Sequence, residues 1–331
     1  MGRVEEVIAA LDVPVVQAGM GGGIAMAPLA GEVSRAGGLG TVGILFDASD
    51  LAAEIRAARD RAGAGRPVAA NLLVPFAREE HARACVEAGA DLVVLFCGFA
   101  PRLVARLREG GVAVMAQVGT TDEARRAIAD GVDGLIAQGR EAGGHLLGVE
   151  PAGDALAKIL DVAGGRPVMA AGGVADAGDV RRLLDAGAAA AVAGSRFLLT
   201  EECGAHPVWK QRALGATETV ETLLFSAGWV DRHRVLPNDV TQRWVKPGSL
   251  GPRGVIALNR ATARFMRRLP DSFAARADAN ASVRLPLYSP RALLEGEDER
   301  FAELRPLYAG ESVARMTSVV PAAEAVRMLT P

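Results

Sequence analysis

Aromatic residues make up only 4% of this 331-residue chain, too few for the aromatic and Thr-rich alternation that marks short β-sandwich strands. Cysteine is scarcer still. Cys85, Cys97 and Cys203 are odd in number and contain no CxxC pair, which argues against a disulfide framework and against a structural zinc site. Charge of one sign is also missing: Lys plus Arg total 37 and Asp plus Glu 39, a net charge of −2, so neither nucleic acid nor an anionic membrane is expected as a partner. There is no long hydrophobic run, since stretches such as Leu92–Phe96 fall far short of the roughly 18 residues of a membrane span. The opening MGRVEEVIAALD puts Glu5 and Glu6 where a secretory signal would be cationic and then apolar, so the cytoplasm is the expected location.

What the chain does have is small and apolar. Half of its residues are hydrophobic, many of them Ala and Val, and 39 are Gly, a composition that suits tight packing of helices on a sheet. Short, continuously apolar runs alternate with longer segments of helical period, the pattern of parallel strands buried on both faces. The runs are Val13–Gln17, Gly40–Leu45, Val68–Leu73, Leu92–Phe96, Ala113–Val118, Gly134–Gln138, Val168–Ala171 and Ala189–Gly194. Eight such runs predict a (β/α)8 TIM barrel. Between them, Asp50 and Thr121 read as helix N-caps, and Gly37, Gly89, Gly131 and Gly187 fall where a helix end needs positive φ. After about residue 200 this rhythm stops. The later chain is Pro-punctuated and holds Trp209, Trp229 and Trp244 and both tyrosines. The expectation is a barrel over 1–204 and an additional, mainly helical C-terminal region over 205–331 that packs on the barrel and its mouth, with one helix from Val255 to Arg268.

In such a barrel the loops after the strands carry the site. The first, Ala18-Gly19-Met20-Gly21-Gly22-Gly23, lets backbone approach a ligand closely. It is no dinucleotide fingerprint, because Ile24 stands where the third Gly of G-x-G-x-x-G would fall. The loops after the last two runs, Gly172-Gly173 and Ala193-Gly194-Ser195-Arg196, suit a phosphate monoester; relief of crowding at the rim is the alternative. After the sixth run comes Gln138-Gly139-Arg140-Glu141-Ala142-Gly143-Gly144-His145. His145, preceded by two glycines, is poorly placed for core packing and well placed as a general base with a pKa near 6.5; a bond to a loop carbonyl is the alternative. Asn71, Gln117 and Gln138 end their runs with neutral amides, which suit a planar hydrogen-bonding heterocycle such as a flavin better than a polyanion. Cys97 reads as an inert buried thiol.

Five pieces taken in order carry a resemblance: Pro14-Val15-Val16-Gln17-Ala18-Gly19-Met20, Val33-Ser34-Arg35-Ala36-Gly37-Gly38-Leu39-Gly40, Glu141-Ala142-Gly143-Gly144-His145, Ala170-Ala171-Gly172-Gly173-Val174 and Ala193-Gly194-Ser195-Arg196-Phe197-Leu198. Over roughly residues 10 to 210 the chain resembles the nitronate monooxygenase family, formerly the 2-nitropropane dioxygenases. The resemblance implies an FMN-dependent (β/α)8 barrel that oxidises alkyl nitronates with O2 to carbonyl compounds and nitrite, without a metal and with His145 as the base. It also implies flavin contacts at Asn71, Gln138, Gly143, Gly173 and Val192–Ser195, with Ala18, Gly19 and Met20 against the ring. Two positions depart from the pattern: Ser195 stands where many members have Thr, and Glu311 stands where the family segment has Gln. The same motifs occur in FMN-dependent enoyl-acyl carrier protein reductases and NADH:quinone reductases, so an NAD(P)H reductase is the alternative. Outside these flavin enzymes, a phosphate-binding lyase or isomerase and a non-catalytic flavin-binding module stay open. The expected partners are a small-molecule substrate and O2, with homodimer formation left open.

Overall fold

A computed structural model describes residues 2–226, 231–266, 280–285 and 288–331, with backbone only for 264–266. Trp229 and Arg268 lie outside the described residues. The chain divides into two compact units, one of Met1–Ala142, Leu147–Gly204 and Ser318–Pro331, the other of Gly143–Leu146 and Ala205–Thr317. The breaks between them fall after Ala142, Leu146, Gly204 and Thr317. Residues 318–331, expected with the C-terminal region, group with the first unit, and 143–146, expected with the barrel, group with the second.

The first unit is built on eight parallel strands: β1 (Val15–Gln17), β2 (Gly40–Val42), β3 (Val68–Leu73), β4 (Leu92–Phe96), β5 (Ala113–Val118), β6 (Gly134–Gln138), β8 (Val168–Ala171) and β9 (Ala191–Ala193). β7 (Gly144–Leu146) belongs to the second unit. The order β1-β9-β8-β6-β5-β4-β3-β2 closes on itself through a parallel bridge between Val16 and Leu39, which makes a (β/α)8 barrel. Every apolar run of the sequence contains one of these strands. The first ladder starts at Val15 and not Val13 because Pro14 has no N–H to donate.

Period two along each strand sends alternate side chains inward. Val16, Leu39, Ala69, Val94, Met115, Ile136, Ala171 and Val192 form one buried cluster, which the helix Arg3–Ala9 joins with Val4 and Val7. Each Val, Leu or Ile of the cluster withdrawn from water contributes about 1.5–3 kcal/mol. The outer faces are covered by helices, and at the helix ends Gly37, Gly89, Gly131 and Gly187 take φ between 76° and 99°, as their spacing predicts. Two helix starts differ from expectation by a few residues. Asp47, not Asp50, caps Ala48–Ala62 by accepting from the Ser49 and Asp50 amides, and Thr120, not Thr121, caps Thr121–Ala129 by accepting from Glu123 N–H.

The second unit holds β7, β10 (Val220–Thr222) and β11 (Arg232–Val235) in an antiparallel sheet of order β10-β11-β7. Helices Pro207–Leu214, Asp239–Trp244 and Arg253–Met266 accompany it. The sheet escapes period analysis because its strands are short and one of them is supplied from residue 144. Leu224, Phe225, Val235, Val240 and Tyr288 form its core.

Residues 318–331 are bound to the barrel unit by one buried charge. Arg196, 1% exposed, donates from Nη2 to the Leu199 carbonyl at 2.9 Å and to the Ser318 carbonyl at 2.7 Å. Val320 pairs with Thr200 beside it, and Glu202 accepts from Ala322 N–H at 2.8 Å. Arg196→Met takes the arginine's donor from the half-buried Ser318 carbonyl and leaves the Leu199 carbonyl with the Val320 N–H alone, and should cost roughly 1–3 kcal/mol. The check is a lowered denaturation midpoint together with new protease cleavage near Ser318. An unchanged midpoint and cleavage pattern would mean that the arginine anchors nothing.

Candidate active site

The same period that builds the barrel core fixes what lies one layer above it. Two residues beyond each member of the inner cluster come Ala18, Thr41, Asn71, Phe96, Gln117, Gln138, Gly173 and Gly194. In the strands these share the inward face with the cluster. The core below is aliphatic; this layer has three amides, a hydroxyl, one aromatic ring and no charge. Asn71 is buried in the middle of β3, with Leu72 and Leu73 following it in the strand, and its Nδ2 donates to the Val94 carbonyl at 3.3 Å. Gln138 is 2% exposed, and its Oε1 accepts from Leu147 N–H at 2.7 Å and Gly148 N–H at 3.4 Å. The half-buried Gln117 amide has no hydrogen-bond partner among the described residues.

The loops leave little room for side chains. A Cβ on Gly19 would collide with that of Asn71, whereas one on Gly194 would come no nearer than 3.8 Å, to Ala18 Cβ. Gly172 and Gly173 sit at φ 123° and 73°, a region that L side chains avoid. Ala18 N–H donates to the Ala193 carbonyl at 2.9 Å, which extends the β1–β9 pairing one residue beyond the ladder. Val192 and Ala193 end β9, Ser195 is 8% exposed, and Met20 packs its carbonyl against Gly43. These positions all lie at the C-terminal ends of the barrel strands. Glu141, the carboxylate nearest His145 in sequence, accepts from Ala152 N–H at 3.0 Å at the start of the helix Ala152–Val162. Among the described residues no group of three or more His, Cys, Asp or Glu is placed to hold a metal, and no helix is long and apolar enough to cross a membrane.

His145, Gly143 and Gly144 belong to the second unit. Gly143 packs against the backbone of Ala309 and Gly310, and Gly144, at φ 77°, has open space where a Cβ would stand. His145 lies on β7 opposite His233 of β11, with ring centroids 4.5 Å apart and planes at 79°. The Tyr308 ring is 5.4 Å from His145 and 5.9 Å from His233, and Trp209 is 6.4 Å from Tyr308. The His145 ring is half-buried and its Nε2 wholly buried. Burial, and after it the charge of His233, pushes the His145 pKa well below 6.5, which corrects the expectation of an unperturbed imidazole. Burial likewise lowers His233 to about 3, against a backbone hydrogen bond with Phe225 that works the other way. Burial raises the Tyr308 phenol, whose O–H donates to the Pro290 carbonyl at 2.7 Å. Glu311, the departure from the family segment, meets Arg234 Nη2 at 3.1 Å, and Arg234 also reaches Glu221 at 2.6 Å.

His233 and Tyr308 are the neighbours of His145 that the sequence does not announce. The alternation Arg232-His233-Arg234-Val235 signals a strand, but nothing local says that it pairs with residues 144–146.

A family model described as nitronate monooxygenase matches residues 5–87 and 83–331. The (3aS,4S,5R,7aS)-5-hydroxy-7a-methyl-1-oxo-octahydro-1H-indene-4-carboxyl-CoA dehydrogenase of Mycobacterium tuberculosis is 34% identical to this chain, over 77% of it and 71% of that protein. A nitronate monooxygenase of Pseudomonas aeruginosa is 29% identical over 71% of this chain and 80% of its own length. Among solved structures, nitroalkane oxidase from Streptomyces ansochromogenes superposes with a TM-score of 0.75 at 25% identity, covering 98% of this chain and 96% of that one. FabK from Thermotoga maritima shares the fold, with a TM-score of 0.75 at 24% identity over 99% and 94% of the two chains.

The paired imidazoles make stability depend on pH. In the unfolded chain both take up protons near pH 6.5; in the folded chain both stay neutral well below it. The unfolded state therefore binds more protons as pH falls past 6.5, and the stability present above that pH is progressively lost, by up to about 1.4 kcal/mol per pH unit for each ring. Denaturation midpoints from pH 7.5 to 5.5, above the range of ordinary carboxylates, should fall in the wild type and fall less in His233→Gln. Parallel curves would show that the rings titrate normally.

Proposed function

We propose, for a chain that belongs to the nitronate monooxygenase family and is an oxidoreductase of that type, that it oxidises alkyl nitronates with O2 to carbonyl compounds and nitrite, with FMN as cofactor and His145 as base. The observation that carries this reading is the uncharged layer of amides above an aliphatic barrel core. Gln117 can donate and accept and Asn71 can accept through its Oδ1, which matches the mixed edge of a flavin ring, while the Gln138 oxygen is engaged by the Leu147 and Gly148 amides. The cramped backbone at Ala18, Gly19 and Met20 leaves room for a flat group and not for branched side chains. Gly172 and Gly173, together with Val192, Ala193, Gly194 and Ser195, offer close backbone and one hydroxyl to a single phosphate, which favours FMN over a dinucleotide. These residues fit the group. A bound flavin supplies acceptance of an electron pair from the substrate and its return to O2.

This chain supplies the proton chemistry. With its pKa held low by burial, His145 is in the base form throughout the neutral range. It takes the α-proton when a neutral nitroalkane is offered, and the imidazolium so formed offsets the nascent anion. A low pKa weakens the base, and the deficit is smallest for carbon acids already activated by a nitro group. Gly143 and Gly144 leave no side chain on the residues just before it. Preformed nitronates need no such step.

A second reading has its own support. Relatives named as a carboxyl-CoA dehydrogenase, at 34% and 31% identity, match more closely than the nitronate monooxygenase of P. aeruginosa at 29%. A thioester also acidifies its α-carbon, so the same neutral imidazole would serve a dehydrogenase of acyl-CoA substrates or an NAD(P)H-linked reductase of the family.

Anaerobic mixing of the oxidised protein with nitronate, NADH, NADPH and an acyl-CoA in turn separates these readings: nitronate should bleach the flavin band, and bleaching by a nicotinamide or the thioester alone would replace the first reading with the second. Cofactor released by acid should chromatograph as FMN, not FAD. His145→Asn should lose about 10²- to 10⁴-fold on neutral nitroalkanes while keeping most of its rate on preformed nitronates. The acidic limb of the wild-type nitroalkane profile should lie below pH 6.5. Equal losses on the two substrates would make His145 a binding residue instead.

A further inference from the structure

β7 and β11 run antiparallel with His145 directly opposite His233 and Gly144 opposite Arg234. Across β10, Thr222 stands opposite His233 and Glu221 opposite Arg234. Alternation therefore sorts the sheet into two faces. One carries His145, His233 and Thr222. The other carries Arg234 with Glu221, and Arg234 is further neutralised by Glu311. Arg232, also on that second face, pairs with Glu221 at 3.4 Å. The charges of the sheet are thus segregated from the imidazoles.

We propose that His233 is a positioning residue for His145: its ring, set edge-on to the His145 ring across the β7–β11 pair, fixes the plane in which that imidazole presents its base. The inference rests on the reading of His145 as the base and adds a residue to it. Three observations support it. The contact is edge-to-face at 4.5 Å, the geometry that aromatic quadrupoles favour. His233 is 0% exposed and fully enclosed, so it cannot yield to a neighbour's motion. The Tyr308 ring lies against both imidazoles, and its hydroxyl is committed to Pro290, so it packs and exchanges no proton.

A second effect follows from the choice of histidine over phenylalanine at 233. Among the described residues, His233, Thr222 and Tyr308 face His145 on its side of the sheet. Thr222 is neutral and committed, donating to the Leu250 carbonyl and accepting from Leu224 N–H, each at 3.0 Å. His233 is then the one ring in this set whose positive charge would oppose a proton on His145, and its coupling to His145 has that sign.

Two variants separate orientation from charge. His233→Phe keeps a ring edge and removes the charge; His233→Leu fills the volume with no ring. Both are prepared as holoprotein, with flavin content and melting midpoint confirming the fold. In His233→Leu, kcat on a neutral nitroalkane should fall about 10- to 100-fold, as misplacement of a reacting group by about an ångström costs, while KM and the rate on preformed nitronate stay within about threefold. His233→Phe should restore most of that kcat. In a proton NMR titration of the His145 ring, it should also move the midpoint upward relative to wild type. Wild-type kcat in His233→Leu would overturn the proposal, as would an equal loss in His233→Phe. The NMR titration needs no substrate, so it still reports the coupling of the two rings if His145→Asn shows that His145 is not the base.

Discussion

Closure of eight parallel strands into one ring is the constraint on which everything else in the barrel unit depends. Once Val16 bridges to Leu39 and the ladder has no free edge, every strand must send alternate residues into a shared interior. The residue two positions beyond the last aliphatic one then arrives at the same level on each strand. Asn71, Gln117 and Gln138 converge for this reason, although 21 to 67 residues separate them in sequence. The same closure leaves Gly19 with no room for a Cβ beside Asn71. A polar amide at these levels is tolerable only where the barrel ends, because an amide lower down would be buried among aliphatics without partners. The boundary between oil and amide is thus a consequence of strand length.

Gln138 shows how tightly this end is specified. Its side-chain oxygen takes both the Leu147 and the Gly148 amide protons, so the chain that has left β6 is caught again two residues after His145. The four residues between Ala142 and Leu147 count with the second unit. One amide in the barrel therefore holds the chain where the first unit resumes, at Leu147 and Gly148. Glutamate in its place would still accept those two bonds, but it would bring a charge into an otherwise neutral layer.

The barrel was legible because its signal is repeated. Eight apolar runs and four glycines at helix ends each point the same way, and errors of one to three residues at Asp47 and Thr120 do not disturb the sum. Gln117 and Gln138 were legible because they stand at or next to the last position of their runs, whereas Asn71 lies inside its run, with Leu72 and Leu73 after it. The surroundings of His145 were not, for a physical reason: its partners are brought to it by antiparallel pairing over nearly ninety residues of sequence, and a three-residue strand leaves no period to detect. A glycine pair before a histidine suggested an exposed loop with an ordinary imidazole. Gly143 serves close backbone packing against Gly310, Gly144 takes a φ of 77°, and the histidine sits in a sheet. Glu311, which departs from the Gln of the family segment, has Arg234 beside it.

The electrostatic character of the second unit narrows what chemistry its histidine can do. The arginines of β11 are engaged by carboxylates on one face, and on the other, among the described residues, His145 has His233, Tyr308 and a satisfied threonine beside it. When a neutral nitroalkane is offered, the positive charge that faces the product anion comes from the proton that His145 has just taken. Such an arrangement couples deprotonation to charge stabilisation in one side chain. It favours carbon acids whose anions are delocalised, since a localised carbanion would outrun the modest basicity that a buried imidazole retains. Nitronates and thioester enolates both meet that condition, so the selection between them falls to whatever groups accept the electrons and not to the base.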